Sequence, residues 1–155
     1  MKTRIDLKRR HLLLGALMLP LVGAWAAPGR IAVVVWKDPS CGCCKDWNVY
    51  LEKAGFEVRV HDTGNTVMRA KLGMPVKFGS CHTARIGGYV IEGHVPVREI
   101  QRLLREKPTA VGLAVPGMTI GSPGMDGPEY GKRKDPYDVL LVKADGTSTV
   151  YQSYR

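Results

Sequence analysis

The residues most able to do chemistry in this chain are its four cysteines. Three stand in one four-residue stretch, Cys41-Gly42-Cys43-Cys44, and the fourth, Cys81, lies further along. A thiolate is both a nucleophile and a metal ligand, so the trio opens three chemistries: thiol–disulfide exchange, structural cross-linking and metal ligation. Read as Cys41-x-x-Cys44, the spacing is that of a redox pair, but an extra thiol at Cys43 would compete for the disulfide. Two ordinary disulfides allow three pairings, and only Cys41–Cys44 with Cys43–Cys81 avoids joining adjacent or next-but-one residues.

Ligation is the reading that uses all four sulfurs, three converging from a tight turn and Cys81 closing the site from a neighbouring strand. Soft thiolates select Cu(I) and Zn(II) over harder ions. The packed trio is crowded for a single tetrahedral zinc, and thiolates bridging several Cu(I) ions relieve that crowding. His82 follows Cys81 directly, and His94 comes just after the strand expected at Tyr89 to Glu92. Met118 and Met125 each close a Pro-Gly-Met triplet in a loop, where a thioether has little helical packing to explain it. These four are additional candidate ligands. His61 falls on the wet face of its strand and is a weaker one.

The elements that must position these donors follow from periodicity. Ile31 to Trp36 is a valine-rich run suited to a strand buried in the middle of a sheet. It leads into the cysteine loop, with Ser40 placed to cap the helix that follows. Trp47, Tyr50, Leu51 and Ala54 recur at helical spacing, and Gly55 closes that helix. Thiols in such a loop face the positive end of a helix dipole, which favours the thiolate. Phe56, Val58 and Val60 alternate with polar residues as a second strand. A short helix from Thr66 to Leu72, strands over Val76–Ile86 and Tyr89–Glu92, and a helix carrying Val97, Ile100, Leu103 and Leu104 come next. The order is βαβ-α-ββ-α, that of a thioredoxin-like α/β domain. A Gly/Pro/Met-rich loop from Gly112 to Gly131 and a C-terminal β-hairpin turning at Asp145-Gly146 complete the chain.

Residues 1 to 26 read as an export signal: five basic residues precede an apolar run, Leu12 to Ala24, that ends in Ala24-Trp25-Ala26. The run is too short to span the ~20-residue hydrocarbon core and contains Pro20. Arg9-Arg10 resembles a twin-arginine signal, with the general secretory route an equal alternative. Cleavage would remove those five bases and Asp6, lowering the formal charge of +9 by four, and would leave one domain, 27–155, without stable membrane insertion. The remaining bases are scattered, with Lys132-Arg133-Lys134 the sole tight run, so the pattern speaks against nucleic acid as a partner.

Taken together, Val35-Trp36-Lys37, Pro39, Cys41-Gly42-Cys43-Cys44, Trp47, Ser80-Cys81-His82-Thr83-Ala84, Glu92-Gly93-His94-Val95-Pro96 and the two Pro-Gly-Met segments resemble the CopG-type family of exported bacterial copper-binding proteins. The resemblance spans residues 31 to about 142. It implies a thioredoxin-like fold, a periplasmic location, a part in copper resistance, and Cu(I) held by Cys41, Cys43, Cys44 and Cys81, with more than one ion per chain expected. Copper ions, and other periplasmic copper proteins, are the partners it implies. Pro75 matches the position where thioredoxin-like folds place a cis proline. A binding protein rather than an enzyme is the leading expectation, and a thiol or copper oxidoreductase using Cys41 and Cys44 is the alternative.

Overall fold

The β-branched run Ala-Val-Val-Val-Trp-Lys forms the first strand, β1 (Ala32–Lys37), and buries Val33 and Val35 on one face. The chain then turns at Asp38, whose carboxylate accepts hydrogen bonds from the Ser40 amide and hydroxyl, and enters helix α1 (Gly42–Lys53). The computed structural model describes residues 29–155; the expected export signal, 1–26, lies outside the described residues. After α1 come β2 (Glu57–His61), α2 (Thr66–Lys71), a 3-10 turn at Val76–Phe78, β3 (His82–Ile86), β4 (Tyr89–Glu92) and α3 (Val97–Glu106). Then follow β5 (Gly112–Ala114), a 3-10 turn at Pro128–Tyr130, β6 (Tyr137–Val142) and β7 (Ser148–Tyr154).

The seven strands of the described residues join one sheet in the order β2-β1-β3-β4-β5-β6-β7. Parallel pairing joins β1 to β2 and β4 to β5, and the other neighbours are antiparallel. Strand parity sends alternate side chains to two cores. Val33, Val35, Ala84, Ile86, Ile91, Leu113 and Val139 pack with Trp47 and Leu51 of α1 and with Ile100 and Leu103 of α3. Val90, Ala114 and Val142 instead meet Met74 and Phe78 on the opposite face, below α2. Each fully buried aliphatic or aromatic side chain of this kind contributes about 1.5–3 kcal/mol of transfer free energy, so the two cores hold the sheet and its helices in fixed register.

The result is a mixed α/β fold with three α-helices among the described residues. Its element order through α3 follows expectation, but its sheet is larger than the thioredoxin-like one expected. The reason lies in the Gly/Pro-rich segment, which opens with a strand, β5. Parallel pairing with β4 lets β5 carry the hairpin β6–β7 onto the same sheet.

Three local expectations are corrected. The N-cap of α1 is Cys41, with no side-chain capping bond, because Ser40 spends its hydroxyl on Asp38. The buried face of α1 is Cys44, Trp47, Asn48 and Leu51, which turns Tyr50 outward to bond Asp126. Strand β3 begins at His82 rather than Val76, since residues 76–78 wind into a 3-10 turn and Gly79 and Ser80 pair with Gly117. No cis peptide bond occurs among the described residues, and Pro75 is the N-cap of that 3-10 turn.

Candidate metal centre

The first half of the site is local. Cys41 caps α1, Cys43 and Cys44 lie in its first turn, and no acidic residue shares that turn. The Cys41 and Cys44 sulfurs are joined in a disulfide, while Cys43 and Cys81 are free thiols. The Cys41 and Cys43 sulfurs lie 3.5 Å apart. Cys44 is fully buried, its sulfur 3.7 Å from the Cys81 carbonyl oxygen. Behind it, Trp47 anchors the helix by donating its indole N–H to the Val95 carbonyl at 2.9 Å.

The second half is assembled from three elements. Ser80, directly before Cys81, has both of its peptide groups held. Its N–H donates to Glu92 Oε1 at 2.7 Å, and its carbonyl accepts from Arg69 at 2.6 Å and Asn65 at 3.1 Å. Glu92 is fully buried and receives Arg69 Nε on Oε1 at 2.8 Å and the Thr83 hydroxyl on Oε2 at 2.6 Å. Asn65 also donates to Thr83 Oγ1 at 3.2 Å. A buried carboxylate is tolerable only when its oxygens are paired in this way, and the closed network fixes the Ser80 peptide. Burial raises the Glu92 pKa, while Thr83, the Ser80 amide and Arg69 pull it back down. Sequence reasoning missed Asn65, Arg69, Ser80 and Thr83, and took Glu92 only as a strand end. An acid inside the apolar run Tyr89-Val90-Ile91-Glu92 was the available signal, because strand parity puts it on the same face as Val90.

One atom from each of Cys41, Cys43, Cys44 and Cys81 lies within 4.8 Å of the others, and the same holds for Cys81, His82 and His94. Cys81 is the shared member. His94 Nδ1 lies 2.8 Å from the Pro123 carbonyl, which cannot donate, so Nδ1 carries the proton and Nε2 keeps its lone pair. That lone pair is 3.0 Å from the Cys81 sulfur. Outer hydrogen bonding of this kind orients histidines toward metals. His82 sits 3.4 Å from the same sulfur through Nδ1, packs at a tilt against Trp47 with ring centroids 4.3 Å apart and meets His94 edge-on, and its buried Nε2 has no hydrogen-bond partner.

Burial keeps Cys81, His82 and His94 neutral in the metal-free chain. Burial, reinforced by the nearby Cys43 thiol, pushes Cys81 up to about 12, so its thiol is protonated at neutral pH. Burial holds both histidines below their ordinary range, His82 furthest, with His94 beside it adding to the shift. Neutral imidazole is the ligating form. The donor set of thiols and neutral imidazoles in a half-buried pocket fits a soft, thiophilic ion.

The two loop methionines part company. Met125 is buried, and its sulfur accepts a 3.4 Å bond from the Tyr130 hydroxyl. Gly124 beside it has φ +84°, and a Cβ there would stand 2.6 Å from the Cys43 carbonyl, so only glycine lets this loop close over α1. Met118 is 58% exposed. His61 is exposed, stacks on Trp36 and belongs to neither donor group.

Comparison with known proteins agrees with this chemistry. Residues 78–125 match a family described as a protein of unknown function, DUF411. Two solved structures of copper resistance protein CopG superpose with a TM-score of 0.74. Form 2 is 42% identical, over 81% of this chain and 99% of the other; form 1 is 44% identical, over 81% and 98%. No curated protein matches the chain.

Proposed function

This chain belongs to the family of copper resistance protein CopG, and on that premise we propose that it sequesters Cu(I) in a thiolate cluster and so contributes to copper resistance in the periplasm. The observation that carries the reading is the convergence of Cys81 on Cys41, Cys43 and Cys44 within ligand distance of one another. His94 and His82 stand ready as nitrogen donors on the Cys81 side. More than one ion per chain is supported by the crowding of three sulfurs into one helical turn, where shared thiolates serve several Cu(I) ions. In this reading the portion from β1 to α3 is a thioredoxin-like unit, supported by its element order, onto which β5, β6 and β7 extend the sheet. Export is supported by the basic and then apolar start of the sequence, and the mass of the protein recovered from the periplasm tests cleavage after Ala26.

With Cys41 and Cys44 joined, a four-thiolate site requires the disulfide to be opened, which takes two electrons and two protons from a thiol reductant. The test is an anaerobic Cu(I) titration of the fully reduced chain beside thiol counting. The expected result is uptake of more than one Cu(I) per chain, with thiols becoming reactive only after copper is removed. A reduced protein that takes up no Cu(I) refutes the proposal.

The disulfide itself favours a second reading, a thiol oxidoreductase whose working pair is Cys41 and Cys44. Cys43→Ser separates the two: it leaves disulfide-reductase activity nearly intact if the pair is catalytic, and weakens Cu(I) binding about as much as Cys41→Ser if the cluster binds metal.

A further inference from the structure

Lys37, the last residue of β1, is enclosed with its side chain 2% exposed, on the same face of the strand as Val33 and Val35. Its Nζ lies 2.7 Å from Asp62 Oδ1 and donates to the Asp38 carbonyl at 2.8 Å. The same carbonyl accepts the Cys41 N–H at 3.1 Å, so the ammonium and the start of the cysteine loop share one oxygen. The Lys37 carbonyl is itself tied to the Gly64 N–H at 2.9 Å. Across the ladder its Cα partner is His82, the residue after Cys81. Burial, His94 and, behind them, the Lys37 charge hold the His82 pKa below its ordinary range. One buried cation therefore stands between the two halves of the metal centre. Asp62 is 54% exposed, so solvent screens its charge more than that of Lys37, and the positive sign prevails on the interior side.

Each cysteine that takes a copper ion gives its thiol proton to water as the copper–sulfur bond forms, and no electron is transferred. Four thiolates holding fewer than four Cu(I) ions therefore carry net negative charge. A partly desolvated anion of this kind needs a fixed positive partner, and no acidic residue in the first turn of α1 opposes one. We propose that Lys37 is a positioning residue of the metal centre, one that sets the Cys41 turn through the Asp38 carbonyl and supplies buried positive charge to balance the copper–thiolate cluster. The first Cu(I) ions bound, when thiolate charge is least neutralised, depend on it most.

The inference rests on the cysteine cluster binding Cu(I), and its test uses two variants that break one ion pair from opposite sides. Lys37→Met keeps an unbranched stem and removes the positive charge, whereas Asp62→Asn removes the negative charge and leaves the ammonium on the Asp38 carbonyl. The reduced full-length chain and both variants are titrated anaerobically with Cu(I) against a bathocuproine chelator, and circular dichroism checks that each is folded. The expected result is a change of opposite sign. The first Cu(I) binds on the order of tenfold more weakly in Lys37→Met and about threefold more tightly in Asp62→Asn, the differences shrinking as further ions load. A purely structural pair would move both variants toward weaker binding. Any pattern other than opposite signs overturns the role of Lys37 and leaves the cluster standing. Should Lys37→Met not fold, Asp62→Asn decides alone: tighter binding supports the charge role, and unchanged or weaker binding refutes it. A reduced unsubstituted chain that takes up no Cu(I) overturns both the cluster and the role of Lys37.

Discussion

The two halves of the metal centre are built by different means. Cys41, Cys43 and Cys44 come from consecutive positions around a helix start, so their proximity costs nothing beyond the turn itself. Cys81 is held from behind by a side-chain network drawn from α2, β3 and β4, which ties both peptide groups of Ser80. The contrast shows that a site can be half local and half imported, and that the imported half concentrates the buried charge. Substitutions in the cysteine loop are therefore expected to act on metal binding, and substitutions behind Cys81 on folding as well.

The largest effect expected from breaking this contrast is at Arg69–Glu92. Glu92→Ala leaves the Arg69 guanidinium without its partner in the interior, and losing one member of a buried pair costs about 3–5 kcal/mol. Urea denaturation of the reduced, metal-free chain measures this, and Cys43→Ser under the same conditions should move the midpoint far less. Next comes Gly93→Ala, which asks for a Cβ at φ +71°, 2.4 Å from the Val115 carbonyl and 2.6 Å from the Ser80 Cβ. Overpacking at such a point costs about 1–3 kcal/mol, and its push on Ser80 should lower Cu(I) affinity in a chelator competition as well as thermal stability.

Acid should sharpen the same contrast. His82 and His94 have pKa values held below the unfolded value of about 6.5, so below that pH the unfolded chain binds more protons than the native one. Native stability is then expected to fall as pH drops through 6.5, and to fall less in His82→Gln. Urea midpoints at pH 7.5, 6.5 and 5.5 would reveal it, a flat profile being the contrary outcome. Metal affinity should run with the same sign. Cys81 gives up its proton on ligation, so apparent affinity should rise by about one log unit per pH unit for that thiol between pH 6 and 8. The smallest effect is expected at Ser40→Ala, which disturbs only an exposed turn and should leave both melting temperature and copper count unchanged.

Much of the frame was legible because hydrophobic period survives in the sequence: β1, α3 and the hairpin at Asp145-Gly146 all stand where the pattern puts them. The misses have physical reasons. Strand β5 is three residues long, too short to show a period, and exists because Val90 and Glu92 offer it a paired edge. The buried face of α1 was misread because Cys44 was weighed as a ligand and not as core, though its side chain is wholly enclosed. His82 could be named as a donor from its place beside Cys81. Its packing against Trp47 followed only once β3 was seen to begin at His82 and to share a face with Ala84 and Ile86.

By itself, the order of residues determined the donor types, the crowding of three thiols at a helix start, and the kinship with CopG, since these depend on identity and on neighbours a few positions away. Only the tertiary structure decided that Cys81 reaches the trio, that His94 turns a free nitrogen toward it, that Arg69 and Glu92 stand behind it, and that one loop methionine is buried while its twin opens to solvent. Those contacts join segments tens of residues apart, and which segments meet is set by sheet order and by the pairing of buried charge; the sequence marks Glu92 as an acid in an apolar run but not the partner it meets.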